Sequence, residues 1–122
     1  MSRVALDSNI LVYAELEPES EKGVRAHEVI AAAAPKGSIA VQTLFEFLAV
    51  VQRKRAASLP SAIAKVESWS AVFVTPPTSA AIVNRAALLV RKHGFQVWDA
   101  VIFAVVRDAG AKYLLSEDMQ DG

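Results

Sequence analysis

The sequence predicts an α/β fold: a three-layer α/β/α sandwich with helices on both faces of a central, mostly parallel sheet of four or five strands. Three observations predict it. Short apolar, β-rich runs alternate with longer helical patterns along the chain, glycine or proline stands at most junctions, and hydrophobic residues make up 53% against 21% charged. A length of 122 residues suits one core and one domain, residues 1–122.

Taken in order, Arg3 to Leu6 is a short apolar run closed by Asp7-Ser8-Asn9, and Ile10 to Leu16 continue as a helix. The chain is expected to begin directly with this first strand. Glu21 to Ala34 sets Val24, Val29 and Ile30 among alanines, a helix ended by Pro35 and Gly37. Ser38 to Gln42 is short and β-rich, and Thr43 to Arg55 is a strongly apolar helix with a basic end. Pro60 opens a helix to about Ala71, Val72-Phe73-Val74 reads as a strand, and Pro76-Pro77 break the chain. Ser79 to His93 is amphipathic and stops at Gly94. Val97 to Ala109 reads as a wholly buried helix stopped by Gly110, and Tyr113-Leu114-Leu115 is a last strand ending in Ser116-Glu117-Asp118. No repeat, linker or low-complexity segment interrupts the alternation.

Composition excludes several classes of function. Without cysteine there are no disulfides, thiolate zinc sites or cysteine nucleophiles, which fits a reducing cytoplasm. The longest apolar run, Ala100 to Val106, falls far short of the ~20 residues that cross a bilayer, so no membrane span is expected. The first residues lack the apolar stretch of a signal peptide. Lys+Arg 13 against Asp+Glu 13 leaves no net basic footprint for nucleic acid. If four acids were neutralised by metal, however, the remaining nine would leave the surface at +4, enough to attract a polyanion.

Four acids break the apolar pattern. Asp7 directly follows the first strand and Asp118 lies just after the last, at the strand ends where open α/β sheets gather ligands. Each also has a purely structural reading: Asp7 or Ser8 caps the next helix, and Ser116-Glu117-Asp118 is a polar turn. Glu46 is the only charge in an apolar stretch and costly there without a partner, yet Thr43-x-x-Glu46 also has capping-box spacing. Asp99 is the only charge between His93 and Arg107, either an N-cap or a carboxylate expected to open into a pocket rather than bulk water. Two acids after strands and two at helix beginnings all fall toward one edge of the predicted sheet. Their repulsion destabilises an empty site and is relieved by a hard divalent cation. An oxygen-only donor set favours Mg²⁺ or Mn²⁺ over Zn²⁺, with His27 and His93 better placed as surface or helix-end residues.

These motifs resemble the PIN-domain nucleases, and more narrowly the VapC-type toxins of bacterial toxin–antitoxin pairs. The resemblance rests on residues 5–13 (ALDSNILVY), 42–47 (QTLFEF), 95–102 (FQVWDAVI) and 114–122 (LLSEDMQDG), which with their spacing span nearly the whole chain. It implies a PIN-like fold in which Asp7, Glu46, Asp99 and Asp118 are the acidic quartet holding Mg²⁺ or Mn²⁺. It further implies Asn9 and Ser116 as polar neighbours and Asp121 as an accessory position. Relatives usually continue past this glycine into a final edge strand, whereas this sequence stops at Gly122, which implies either a lost tail or a truncated form. The implied activity is hydrolysis of RNA by a metal-activated water, and the implied partners are a cognate antitoxin and a second copy in a homodimer. Arg53, Lys54 and Arg55 are candidates for guiding the RNA backbone, or complement the dipole of their helix. Two other readings stand beside this one. A receiver-like Mg²⁺-binding signalling module needs an acceptor Asp after a middle strand and a Lys after a late one, but Val74 is followed by Thr75-Pro76-Pro77, and Lys112 precedes its strand. A non-catalytic module that keeps the fold and binds an antitoxin-like peptide is the other.

Overall fold

The computed structural model describes residues 4–34, 36–108 and 113–115. Its elements follow in chain order: β1 (Val4–Leu6), α1 (Ser8–Leu16), α2 (Glu21–Ala33), α3 (Val41–Lys54), α4 (Leu59–Val72), α5 (Ala80–His93), α6 (Val97–Asp108) and β2 (Tyr113–Leu115), with a single 3-10 turn at Ala56–Ser58.

Parallel pairing organises the sheet. β1 pairs with β2 in the register Val4 to Tyr113, Ala5 to Leu114 and Leu6 to Leu115. On its other side β1 meets Ser38, which in turn meets Val74, both as parallel bridges. The order across the sheet is therefore Val74, Ser38, β1, β2, four parallel positions with β1 in the interior. The expected strands at Ser38 to Gln42 and Val72 to Val74 shrink to single bridges for a local reason. Helix α3 already begins at Val41, and α4 runs on through Val72, so the helices on either side take the residues that would have lengthened each strand.

Alternation along these short strands separates two cores, because successive side chains point to opposite faces. Leu6 and Ile39 face a cluster with Leu11, Leu44, Phe47, Val51 and Phe73, drawn from α1, α3 and the end of α4. Their neighbours Ala5 and Ala40 face the other way, onto Ile82 of α5 and Ile102, Ala104 and Val105 of α6. Helices thus cover both faces, and the three-layer parallel architecture read from the sequence is the one observed.

Local devices fix two of the connections between helices. The turn between α1 and α2 closes when the Ser20 hydroxyl accepts from Gly23 N at 2.9 Å and donates to the Glu17 carbonyl at 2.8 Å. Only glycine fits there, since a Cβ on Gly23 would stand 1.7 Å from that same carbonyl oxygen. At the far end of the chain, Gly94 ends α5 in the left-handed region (φ 69°), the usual glycine terminator, and turns the chain back into α6.

Candidate active site

The last residue of β1 delivers Asp7 to the strand-end edge in extended conformation, and α1 starts on the next residue. Asp7 is the N-cap of α1, its Oδ1 accepting from Ser8 N at 2.8 Å. Ser8 itself is buried, 5% exposed, and its hydroxyl donates to Oε1 of Glu46 on α3. One serine therefore serves both half-buried acids, its amide toward Asp7 and its hydroxyl toward Glu46. Charge-assisted bonds of this kind are the stronger class. Each occupies one of about four lone-pair directions on its carboxylate, so capacity for a cation remains.

The capping-box reading of Glu46 does not hold. The N-cap of α3 is Ala40, with no side-chain cap, and Thr43 lies inside the first turn with its hydroxyl buried and without a partner among the described residues. Glu46 sits one turn further along, on the side of the helix that meets Ser8. The capping reading of Asp7, by contrast, is correct and coexists with its place at the strand end.

Asp99 is the third residue of α6, within the first turn and not its cap. In a parallel α/β unit the helix runs back against the strands, so its first turn lies toward the edge where they end. Asp99 thus belongs to the same edge as Asp7, but it is exposed. The expectation that this whole helix is buried needs correcting. Ala100, Ile102, Ala104 and Val105 form the stripe laid on the sheet, while Val97 and Trp98 stand 61% and 57% exposed. Asp118, Ser116 and Asp121 lie outside the described residues. Among the described residues, no three of the His, Asp and Glu side chains come close enough to hold a metal ion. What the structure brings together is the pair Asp7 and Glu46.

The chemistry of that pair suits a hard cation: two carboxylates, held facing one edge by a single serine, with no sulfur or imidazole joined to them among the described residues. Ser8 is the residue that sequence reasoning undervalues, since beside Asp7 it reads only as another possible cap. Its contact with Glu46 spans 38 positions, which no local pattern encodes. Asn9 is half-buried on α1. Arg55 has a structural task, its guanidinium donating to the Leu16 carbonyl at 2.9 Å and so closing the end of α1. Arg53 and Lys54 are exposed in the last turn of α3, about 10 Å along the helix axis from Glu46. His27 is exposed on α2, and His93, exposed at the end of α5, stacks edge-on against Phe95 with centroids 6.3 Å apart.

Residues 4–120 match the family model of the PIN domain. Solved structures share the fold, two of them as follows. The VapC20 toxin of Mycobacterium tuberculosis, described as cleaving the sarcin–ricin loop, superposes with a TM-score of 0.78 at 18% identity, covering 94% of this chain and 91% of that one. A toxin–antitoxin complex from Klebsiella pneumoniae gives 0.74 at 19% identity, covering 97% of this chain and 88% of the other. No curated protein sequence matches. With a family match across nearly its whole length, this chain belongs to the PIN-domain family.

Proposed function

We propose that this protein is a divalent-metal-dependent endoribonuclease, the toxin of a toxin–antitoxin pair. The observation that carries the proposal is the Asp7–Ser8–Glu46 arrangement: two carboxylates held together at the carboxyl edge of a parallel sheet, in a chain of the PIN family. The two similar structures add support, one described as a toxin that cleaves the sarcin–ricin loop and the other as a toxin–antitoxin complex.

In this reading Asp7, Asp99 and Asp118 hold Mg²⁺ or Mn²⁺, and Glu46 either joins them or orients the attacking water. The metal supplies Lewis acidity and lowers the pKa of a water molecule. Ser8 holds Glu46 and Asp7 at a fixed separation, so the carboxylates are preorganised before substrate arrives. Asn9, Ser116 and Asp121 are the polar neighbours, and Arg53 and Lys54 approach the more distant phosphates. A cognate antitoxin would cover the acidic edge, and two copies would pair as a homodimer. No helix among the described residues is long and apolar enough to cross a membrane, and we assign the protein to the cytoplasm, where its RNA would be met. The receiver-like alternative is displaced by the family match; a non-catalytic PIN module is excluded only by activity.

The test is incubation of the purified protein with structured RNAs in Mg²⁺ or Mn²⁺, beside an EDTA control and Asp99→Asn. Cleavage that requires metal and disappears in the variant is the expected result. Cleavage that survives Asp99→Asn would point to a contaminating nuclease and sink the assignment, and no cleavage under any condition would favour the non-catalytic module.

A further inference from the structure

We infer that Trp98 and Phe45 are base-stacking residues, holding unpaired RNA bases on either side of the phosphate presented to the acids; the inference rests on the ribonuclease reading above. Both rings are exposed, Trp98 at 57% and Phe45 at 65%. Each immediately precedes an acid of the candidate site, Phe45 before Glu46 and Trp98 before Asp99. Helices α3 and α6 lie on opposite faces of the sheet, so the two aromatics flank the strand-end edge from its two sides.

Four other rings pack against one another. Phe47 packs edge-on against Trp69 with centroids 5.1 Å apart, and Phe95 packs against Phe103 at 5.6 Å. Phe45 and Trp98 instead leave apolar surface in water beside carboxylates, an arrangement that core packing does not account for. Stacking on a base covers such a ring whatever the base is, which suits a channel that must admit a strand before cutting it.

Charge favours nucleic acid over protein at this rim. The last turn of α5 exposes Arg91 and Lys92, and only three residues, Gly94 to Gln96, separate that helix from the first turn of α6. The left-handed Gly94 folds the basic turn back toward the end of α6 that carries Trp98. Cations beside an exposed indole match a phosphate backbone with its attached base. A second copy docked here about a twofold axis would instead bring two such basic turns into one interface.

The test uses the whole protein with Mn²⁺ and a single-stranded RNA of roughly 10 nucleotides, within the range one binding fold accommodates, together with versions lacking the base on one side or the other of the cleaved bond. Wild type, Trp98→Ala and Phe45→Ala are compared for KM and kcat. Both side chains are exposed, and unchanged melting temperatures confirm that the variants fold. Removing a stacked base should raise the wild-type KM about tenfold. Each alanine variant should show that rise on intact RNA and no further rise when the base it served is removed. RNA should also quench tryptophan emission in the wild type and not in Trp98→Phe, which keeps a stacking ring and a near-wild-type KM. Wild-type KM values in both alanine variants, or variant and base-removal effects that simply multiply, would overturn the inference and leave the ribonuclease reading standing. Unchanged KM with a shift in oligomeric mass would overturn it in favour of a protein interface. A wild type that cleaves no RNA removes the ribonuclease reading itself, and this inference with it.

Discussion

Removing the Ser8 hydroxyl tests whether the two acids are held as a unit. Ser8 is 5% exposed and its hydroxyl donates to a carboxylate, a class of bond worth about 1.5–3 kcal/mol. Glu46 is half-buried, so water partly replaces the lost donor, and Ser8→Ala should cost about 1.5 kcal/mol, the lower end of that range. Glu46→Ala alone is ambiguous, because it removes the same bond while relieving repulsion with Asp7. A double-mutant cycle separates these effects: with Glu46 already truncated, Ser8→Ala has little left to lose, and the coupling should be about 1–2 kcal/mol. Urea denaturation at neutral pH in EDTA reads all four corners as midpoints, with slopes checked for constancy. Single-variant costs that add to within about 0.5 kcal/mol would show that the serine does not join the two residues, and the preorganised pair would have to be abandoned.

Three further outcomes follow from the packing. Gly23→Ala should destabilise by about 3 kcal/mol or more, as overpacking against backbone does, since its Cβ would fall 1.7 Å from the Glu17 carbonyl oxygen; a melting temperature near wild type would mean that the turn between α1 and α2 yields. Ser38→Ala should be neutral or stabilise by up to about 1 kcal/mol, because the hydroxyl of this fully buried residue has no partner among the described residues; a clear loss in thermal melting would reveal one. Lys65→Ala should cost about 1–2 kcal/mol by urea denaturation, because it strips the partner, 2.5 Å away, from a Glu15 side chain only 6% exposed; the 38% exposure of Lys65 keeps the figure below that of a fully buried pair, and an unchanged midpoint would refute it.

Much of this architecture is written locally. The ends of α2 and α5 follow from proline and glycine, and the alternation of short apolar runs with amphipathic ones is enough to call for a covered parallel sheet. The lengths of the inner strands are not local. Ser38 to Gln42 has the composition of a five-residue strand, yet only Ser38 bridges, because the apolar stripe of α3 reaches back to Val41 in order to pack Leu44 and Phe47 on the sheet. The same competition gives Val72 to α4. Burial of α6 is overestimated from composition, since an apolar sequence does not say which of its residues the fold lays on the sheet.

By itself the sequence singled out the candidate acids: carboxylates placed after strands or at helix beginnings stand out because an apolar chain tolerates them only for a reason. Tertiary structure decided which of them meet. Asp7 and Glu46 meet through Ser8 because parallel pairing sets β1 beside Ser38, which launches α3 from the same edge as α1, and a hydroxyl placed by one strand then reaches a carboxylate carried by the next helix. That contact joins residues far apart in the chain, and only folding brings them within hydrogen-bonding distance.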